Sequence, residues 1–162
     1  MNNQLDFKPF VFALLKESFR SGSIAAIAMM PVGLIFFLFG FRINEYGMRV
    51  IQSLFNQLPT GQRFLLFIIE HFVISWAASL PLLFVLLLTR TRLSALAAGI
   101  MYGLGFYVAI NSFMLPWVFG DKTPWQIGLH VIYPSLLVHL VYGASISLTS
   151  WGFVSIHRNL GR

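Results

Sequence analysis

Four long apolar stretches limit what this chain can fold into. They cover about residues 21–41, 64–88, 93–120 and 126–156, and Glu70 is the only acidic residue inside them. A helix of about 20 apolar residues crosses the hydrocarbon core of a bilayer, which is about 30 Å thick. Only 10% of the residues are charged, against about 25% in a soluble domain. The stretches therefore predict an integral membrane protein with four transmembrane helices.

The predicted fold class is all-α, a four-helix membrane bundle. A membrane β-barrel would need strands of about 10 residues with strict alternation, whereas the apolar runs here are long and continuous. Residues 1–20 carry no signal-peptide pattern, and they place Phe10 and Leu14 on one helical face, opposite Lys16. This pattern is typical of a helix lying in the membrane interface. We therefore predict an interfacial helix over residues 1–20 and a single membrane domain over residues 21–162.

The basic residues indicate how the chain is oriented. Four spans place both termini on one side, and Lys and Arg are enriched in cytoplasmic loops. Seven of the 11 Lys and Arg residues fall on the side of the termini. Both termini are therefore expected in the cytoplasm. Because the basic residues lie at span ends, where anionic headgroups attract them, we expect a lipid bilayer as the partner and no nucleic acid.

The loop between the first two spans, "RINEYGMRVIQSLFNQLPTGQR", predicts a short amphipathic helix on the outer surface. Ile51, Leu54, Phe55 and Leu58 recur at helical spacing, opposite Arg49. Pro59 is expected to end this helix.

The two halves of the sequence echo one another. "RSGSIAAIAMMPVGLIFF" from Arg20 and "RLSALAAGIMYGLGFYVA" from Arg92 share R, AA, M and G at the same spacings, and "HFVISWAASLPLLFVLLLTR" from His71 matches "HLVYGASISLTSWGFVSIHR" from His139 in H, V, SL and R. The offsets are 72 and 68 residues. This echo predicts two tandem helical hairpins related by a pseudo-twofold axis along the membrane normal. The alternative is a coincidence of apolar spans.

The echo makes His71 and His139 equivalent, and each belongs to a polar stripe with a four-residue repeat. The stripes are His71, Ser75 and Ser79 on the second span, and Ser135, His139, Gly143 and Ser147 on the fourth. If the two stripes face each other across the pseudo-axis, they line a polar seam in the bundle.

Glu70 adds a carboxyl group to the same region. A charged residue at the centre of a membrane helix costs about 2.5–3.5 kcal/mol on insertion scales, so Glu70 must be paired, protonated or facing water. Asn111, Tyr107 and Tyr133 are available hydrogen-bond partners. The residues predicted to form a proton-linked or polar intramembrane site are Glu70, His71, Asn111 and His139.

Several interpretations of the histidine pair stay open. Polar residues between membrane helices often only hydrogen-bond across the interface, for about 0.6 kcal/mol on average. His71 and His139 are also candidate metal ligands, and one histidine on each of two helices at one depth is the minimum for bis-His ligation of a b-type haem. A quinone or another lipid-like ligand is a further alternative. No catalytic motif is present, and no base, nucleophile and oxyanion donors converge, so we do not expect an enzyme.

The third span carries a small-residue pattern. Ala95, Gly99 and Gly103 follow one another at four-residue intervals, which lets helix backbones approach closely. This pattern makes the third span the expected packing centre. Its partner helix belongs to the same chain, to a second copy in a homo-oligomer, or to a larger membrane complex.

Four short motifs carry a family resemblance. "EHFVISWAASLPL", "AAGIMYGLGF", "LPW" and "HLVYG" resemble the small bacterial inner-membrane proteins of the YagU type, whose biochemical function is unknown. The resemblance covers about residues 63–158 and implies a bacterial inner-membrane location. It implies no catalytic or binding residue.

These observations together predict a small, non-enzymatic, multi-pass inner-membrane protein. One hypothesis is a transport component, or a proton- or metal-linked component, with an intramembrane Glu/His site. The alternatives are a structural or accessory subunit of a larger membrane complex and a b-type haem protein with bis-His ligation.

Overall fold

The computed structural model describes residues 7–41 and 46–160, and every regular element within them is helical. The elements are α1 (Phe7–Leu38), α2 (Tyr46–Leu54), α3 (Thr60–Leu87), α4 (Arg92–Phe106), a π-helix (Tyr107–Met114), α5 (Leu115–Phe119), α6 (Pro124–Ile127) and α7 (Leu129–Leu160). Because α4, the π-helix and α5 follow one another directly, they form one continuous rod.

Four helical segments are long and apolar enough to cross a membrane. They are Lys8–Leu38, Thr60–Leu87, Arg92–Phe119 and Leu129–Arg158. Each has at least 28 residues, whereas about 20 suffice to cross the hydrocarbon core. The predicted all-α, four-helix membrane bundle is therefore confirmed. The last three spans begin within four residues of their predicted starts.

The first span differs most from its prediction, because α1 contains both the predicted interfacial helix and the predicted span. It runs from Phe7 through Arg20 and Ser21 without a break, while residues 1–6 lie outside the described part of the chain. The Ser21 hydroxyl donates to the carbonyl oxygen of Glu17, one turn earlier, at 2.8 Å. The polar residues at this point therefore continue the helix instead of capping a new one.

Glu17, in the N-terminal part of α1, is also an acidic residue, and it is buried. The guanidinium of Arg20 lies 2.6 Å from its carboxylate and also donates to the carbonyl oxygen of Thr149 in α7 at 2.5 Å. The pair therefore satisfies its own charge and joins α1 to α7.

The predicted short helix between the first two spans is present as α2. It ends at Leu54, before the expected stop at Pro59, and the chain turns there. Of the four apolar residues predicted to share one face, Ile51, Leu54, Phe55 and Leu58, only Ile51 is buried; Leu58 is half-buried, and Leu54 and Phe55 are exposed. α2 rests on α3 at one end of the bundle, which we call the α2 end.

The packing centre of the bundle is α7, not the third span as predicted. α7 contacts α1, α3 and α4, whereas α4 packs mainly against α7. A single core cluster collects buried side chains from all four spans, including Leu14, Leu82, Ala95 and Ile146. The small residues of the third span therefore pack against the central helix, α7, but the third span is not itself the centre of the bundle.

The small-residue face of α4 packs against α7 of the same chain. Added Cβ atoms at Gly99 and Gly103 would overlap the carbonyl oxygens of Gly143 and His139, respectively, and one at Gly143 would overlap that of Gly99. Ala95, one turn before Gly99, is also buried. The two backbones are thus in direct contact, which only glycine permits at these positions.

The α-helix of the third span widens into the π-helix shortly before a proline. The backbone N–H of Leu115 bonds to the carbonyl oxygen of Ile110, five residues back, as a π-helix requires. Pro116 has no N–H to offer the carbonyl of Ser112 and its ring would crowd that group in a regular α-helix. We attribute the wider turn to this proline.

The two hairpins share their connectivity but not their packing register. In the first, Gly22 of α1 lies against Ser75 of α3, where an added Cβ would come 3.1 Å from the Ser75 oxygen. The offsets of 72 and 68 would carry this contact to Ser94 and Gly143, but Gly143 instead meets Gly99, five residues further along α4. The internal duplication stays a prediction.

Candidate functional site

The polar stripe of α3 packs against α1 through a set of side-chain hydrogen bonds. The Ser75 hydroxyl donates to the carbonyl oxygen of Gly22 at 2.7 Å, and Nε2 of His71 lies 3.3 Å from that of Ala26. One turn from Ser75, the hydroxyls of Ser79 and Ser18 are 2.7 Å apart.

The same interface also engages Trp76, whose indole N–H donates to the Ser23 hydroxyl at 2.8 Å. We call this interface the α1–α3 seam, and its polar side chains are Ser18, Ser23, His71, Ser75, Trp76 and Ser79. Each of them makes at least one hydrogen bond. In this seam the polar side chains hold the helices together.

The polar stripe of α7 faces α4 and the π-helix, so the two stripes do not line one common seam as predicted. Nδ1 of His139 lies 2.6 Å from the carbonyl oxygen of Ser135 on its own helix. Its ring packs against Phe106 and Tyr107, each at 5.8 Å between ring centroids. His71 and His139 therefore contact different neighbouring helices.

Three buried hydroxyl groups in the described residues have no hydrogen-bond partner, and all three belong to the second hairpin. They are those of Tyr107, Ser112 and Ser147. A buried polar group without a partner costs about 1–3 kcal/mol. Ser147 is confined at the tight crossing beside Gly99. Tyr107 and Ser112 lie in the π-helix, where residues five apart are about one turn apart and share a side.

Tyr107, Ser112 and His139 form what we call the π-helix site. Asn111, next to Ser112, is also buried, with 7% of its surface exposed. Trp125, on α6, packs edge-on against the Tyr107 ring at 6.3 Å. The sequence pattern predicts His139 and Asn111 as site residues and Tyr107 only as a possible partner; it does not predict Ser112 or Trp125 as part of the site. The signal that could have revealed them is Pro116, which marks an irregular helix four residues after Ser112.

Glu70, the predicted proton carrier, lies against α2 instead of facing this site. A Cβ added at Gly47, in the first turn of α2, would come 2.6 Å from Oε2 of Glu70. No hydrogen bond within the described residues joins Glu70 to Asn111. A carboxylate near the first turn of a helix is stabilised by the positive end of the helix dipole. The Glu70 side chain therefore lies next to the backbone of α2 at the end of its span.

α2 is also fixed to the end of the third span. Arg49 forms an ion pair with Asp121, and its guanidinium lies 4.7 Å from the ring centroid of Phe119. Tyr46 stacks on the same ring at 5.6 Å. Burial raises the pKa of the Tyr46 hydroxyl, with a further increase from the Asp121 carboxylate and an opposing effect of Arg49. Tyr46 is therefore neutral at physiological pH.

The histidines do not fit the haem or metal hypotheses. Bis-His ligation needs two imidazoles that face one another, but His71 is directed at the Ala26 carbonyl and His139 packs among Phe106 and Tyr107. Within residues 7–41 and 46–160, no three His, Asp or Glu side chains are grouped closely enough to hold a metal ion.

An apolar groove lies where the end of α1 meets α7. It has a volume of about 260 Å³ and is lined by Phe36, Phe41, Tyr133, Leu136, Leu137 and Leu140. Tyr133 thus faces an apolar surface that is separate from the π-helix site.

Comparisons with known proteins do not assign this chain to a family. No family model matches it, and neither the curated proteins nor the solved structures gave a match. The resemblance to proteins of the YagU type therefore stays a prediction, and the function has to be inferred from the residues themselves.

Proposed function

We propose that this chain is a small, non-enzymatic, multi-pass membrane protein that carries protons through the π-helix site. One observation supports this most: the buried hydroxyls of Tyr107 and Ser112 have no hydrogen-bond partner on a neighbouring helix, whereas the polar side chains of the α1–α3 seam are all bonded across it. An unmet hydrogen bond costs stability, so groups kept in that state are candidates for function. Short π-helices also occur frequently at functional sites.

The protonation of His139 follows from its hydrogen bond. A carbonyl oxygen only accepts, so Nδ1 must carry the proton that it donates to Ser135. Nε2 of the neutral ring then keeps a lone pair that can accept a second proton.

The two hydroxyls supply the remaining parts of a proton path. Each is both a donor and an acceptor, so it can receive a proton on one side and release another. The Tyr107 ring packs against His139, and Ser112 lies about one turn further along the π-helix on the same side as Tyr107. Asn111 supplies an additional amide at the same level of the π-helix.

The four predicted site residues have different roles in this proposal. His139 and Asn111 keep the role expected from the sequence. We assign His71 to helix packing and Glu70 to holding α2, because both contact a neighbouring backbone.

The decisive experiment compares the two histidines. The purified protein is reconstituted into liposomes containing a pH-sensitive dye, and a potassium gradient with valinomycin drives proton entry. We expect the intact protein to acidify the lumen. His139→Gln should lose at least about 90% of this flux, because a glutamine side chain cannot carry the proton. His71→Gln should keep most of the flux. Flux equal to that of empty liposomes, or equal flux in both variants, would refute the proposal.

We further propose that the protein lies in a bacterial inner membrane with both termini in the cytoplasm. The excess of Lys and Arg on the side of the termini supports this orientation, and the resemblance to proteins of the YagU type supports the location.

The second candidate function is that of an accessory subunit. The apolar groove beside Phe36 and Leu140 favours it, because a partner's side chains could fill that space. Extraction in mild detergent followed by mass spectrometry should then recover a stoichiometric partner protein. Recovery as an isolated monomer or homodimer would argue against this function.

A further inference from the structure

The segment from Gly120 to Gly128 connects α5 to α7 and has a glycine at each end. Gly120 and Gly128 have φ angles of 64° and 127°, values that favour glycine. Between them, the backbone N–H of Thr123 donates to the side-chain oxygen of Gln126 at 3.0 Å, and the N–H of Gln126 donates back to the Thr123 carbonyl oxygen at 2.9 Å, which closes the single turn of α6. The segment thus contains one short helical turn and begins and ends at a glycine whose backbone conformation other residues rarely adopt.

This segment places an aromatic ring on the π-helix site. Trp125 packs edge-on against Tyr107 at 6.3 Å between ring centroids. Trp125 is 54% exposed, whereas Tyr107 is fully buried. The indole therefore separates the buried phenol from the surface at the α2 end of the bundle.

A charged contact outside the span holds the same segment in place. Asp121, next to Gly120, forms an ion pair with Arg49 of α2. The Arg49 guanidinium also lies over Phe119, just before Gly120. α2 is itself attached to α3, where Gly47 lies against Glu70. The segment is therefore fastened to the rest of the bundle through α2.

We infer that residues 120–128 form a hinged cover over the π-helix site, with Trp125 closing the site and the Arg49–Asp121 ion pair keeping the cover shut. This inference rests on the proposed function, since a proton path through the site needs contact with water at the α2 end. Rotation at the two glycines lifts Trp125 from Tyr107 and admits water. Breaking the ion pair increases the fraction of time that the cover is open.

The test uses the absence of cysteine from the sequence. A single Ser112→Cys substitution provides the only thiol, and its rate of reaction with a positively charged, membrane-impermeant methanethiosulfonate reagent reports access to the site. The rate is measured with the ion pair intact, in Arg49→Gln, and in the charge-swapped pair Arg49→Asp with Asp121→Arg. Ser79→Cys in the α1–α3 seam is the matched control, because both serines have 0% exposure.

We expect Arg49→Gln to speed labelling of Ser112→Cys by about tenfold, the factor for loss of an ion pair and a cation–π contact together. The charge-swapped pair should restore slow labelling of Ser112→Cys. With Trp125→Ala added, labelling of Ser112→Cys should be fast both with Arg49 and with Arg49→Gln. Equal rates with and without Arg49, or a matching increase at Ser79→Cys, would overturn the inference. Asn111→Cys gives the same readout if Ser112→Cys does not fold. Because labelling is independent of proton flux, the cover and the proton path can fail separately.

Discussion

The two hairpins use similar polar residues in opposite ways. In the α1–α3 seam, Ser75 donates to the carbonyl oxygen of Gly22 and Ser79 meets Ser18. In the second hairpin, the unpaired hydroxyls of Tyr107 and Ser112 lie in the π-helix. A polar stripe read from the sequence therefore does not define a site. Whether the polar side chains of a stripe form hydrogen bonds depends on the helix that the stripe packs against.

The difference begins with one residue of the echo. In the predicted echo, Ser75 of the first hairpin aligns with Gly143 of the second, and Gly143 has no side chain to donate. It allows instead the backbone contact with Gly99. The first hairpin is held by side-chain hydrogen bonds and the second by close backbone packing. The polar groups of the nearby π-helix site are therefore not needed to hold the helices of the second hairpin together.

The largest expected effect comes from filling the backbone contact of the second hairpin. Gly143→Ala should destabilise the protein by about 3 kcal/mol, the upper end of overpacking costs, because the new Cβ overlaps the carbonyl oxygen of Gly99. Unfolding in mixed micelles titrated with a denaturing detergent measures the change.

Gly105→Ala is the matched control for this substitution. No atom lies within 4 Å of a Cβ built at Gly105. Alanine there should be neutral or should stabilise the helix by up to about 1 kcal/mol, as expected from helix propensity. Equal destabilisation by both substitutions would contradict the close contact between α4 and α7.

A smaller effect is expected from breaking a hydrogen bond in the first hairpin. Ser75→Ala should cost about 1 kcal/mol, because it removes the bond to Gly22 in a membrane-buried interface. Ser112→Ala in the second hairpin should cost nothing measurable, since its hydroxyl has no protein partner to lose. The same unfolding titration measures both variants, and the reverse order of costs would invalidate the comparison between the hairpins.

The number of spans and most of their limits could be predicted from the sequence, because they depend on composition over about 20 residues. The continuity of α1 through Arg20 and Ser21 could not, since the same polar residues are compatible with a cap or with a helix interior. The direction in which each helix faces within the bundle could not be predicted from the sequence either. It depends on long-range packing, which turns His71 toward α1 and His139 toward the π-helix.

Glu70 shows the same limit for a single residue. Its position in an apolar span predicted that it needs a partner. The sequence did not show that the neighbour is the first turn of α2, because that contact joins residues 23 positions apart through a helix that is not a span. That Glu70 needs a partner stays a prediction, and its position beside α2 was not predicted.

The central claim is that the first seam is structural and the π-helix site is functional, and the proton flux of Tyr107→Phe tests it most directly. This substitution removes only a hydroxyl that has no protein partner, so the free energy of unfolding should stay the same or rise slightly. In the liposome assay the flux should fall by at least about 90%, because one donor and acceptor of the path is lost. Normal flux in Tyr107→Phe would contradict the functional role of the π-helix site, and a loss of stability would show that the hydroxyl has a structural partner.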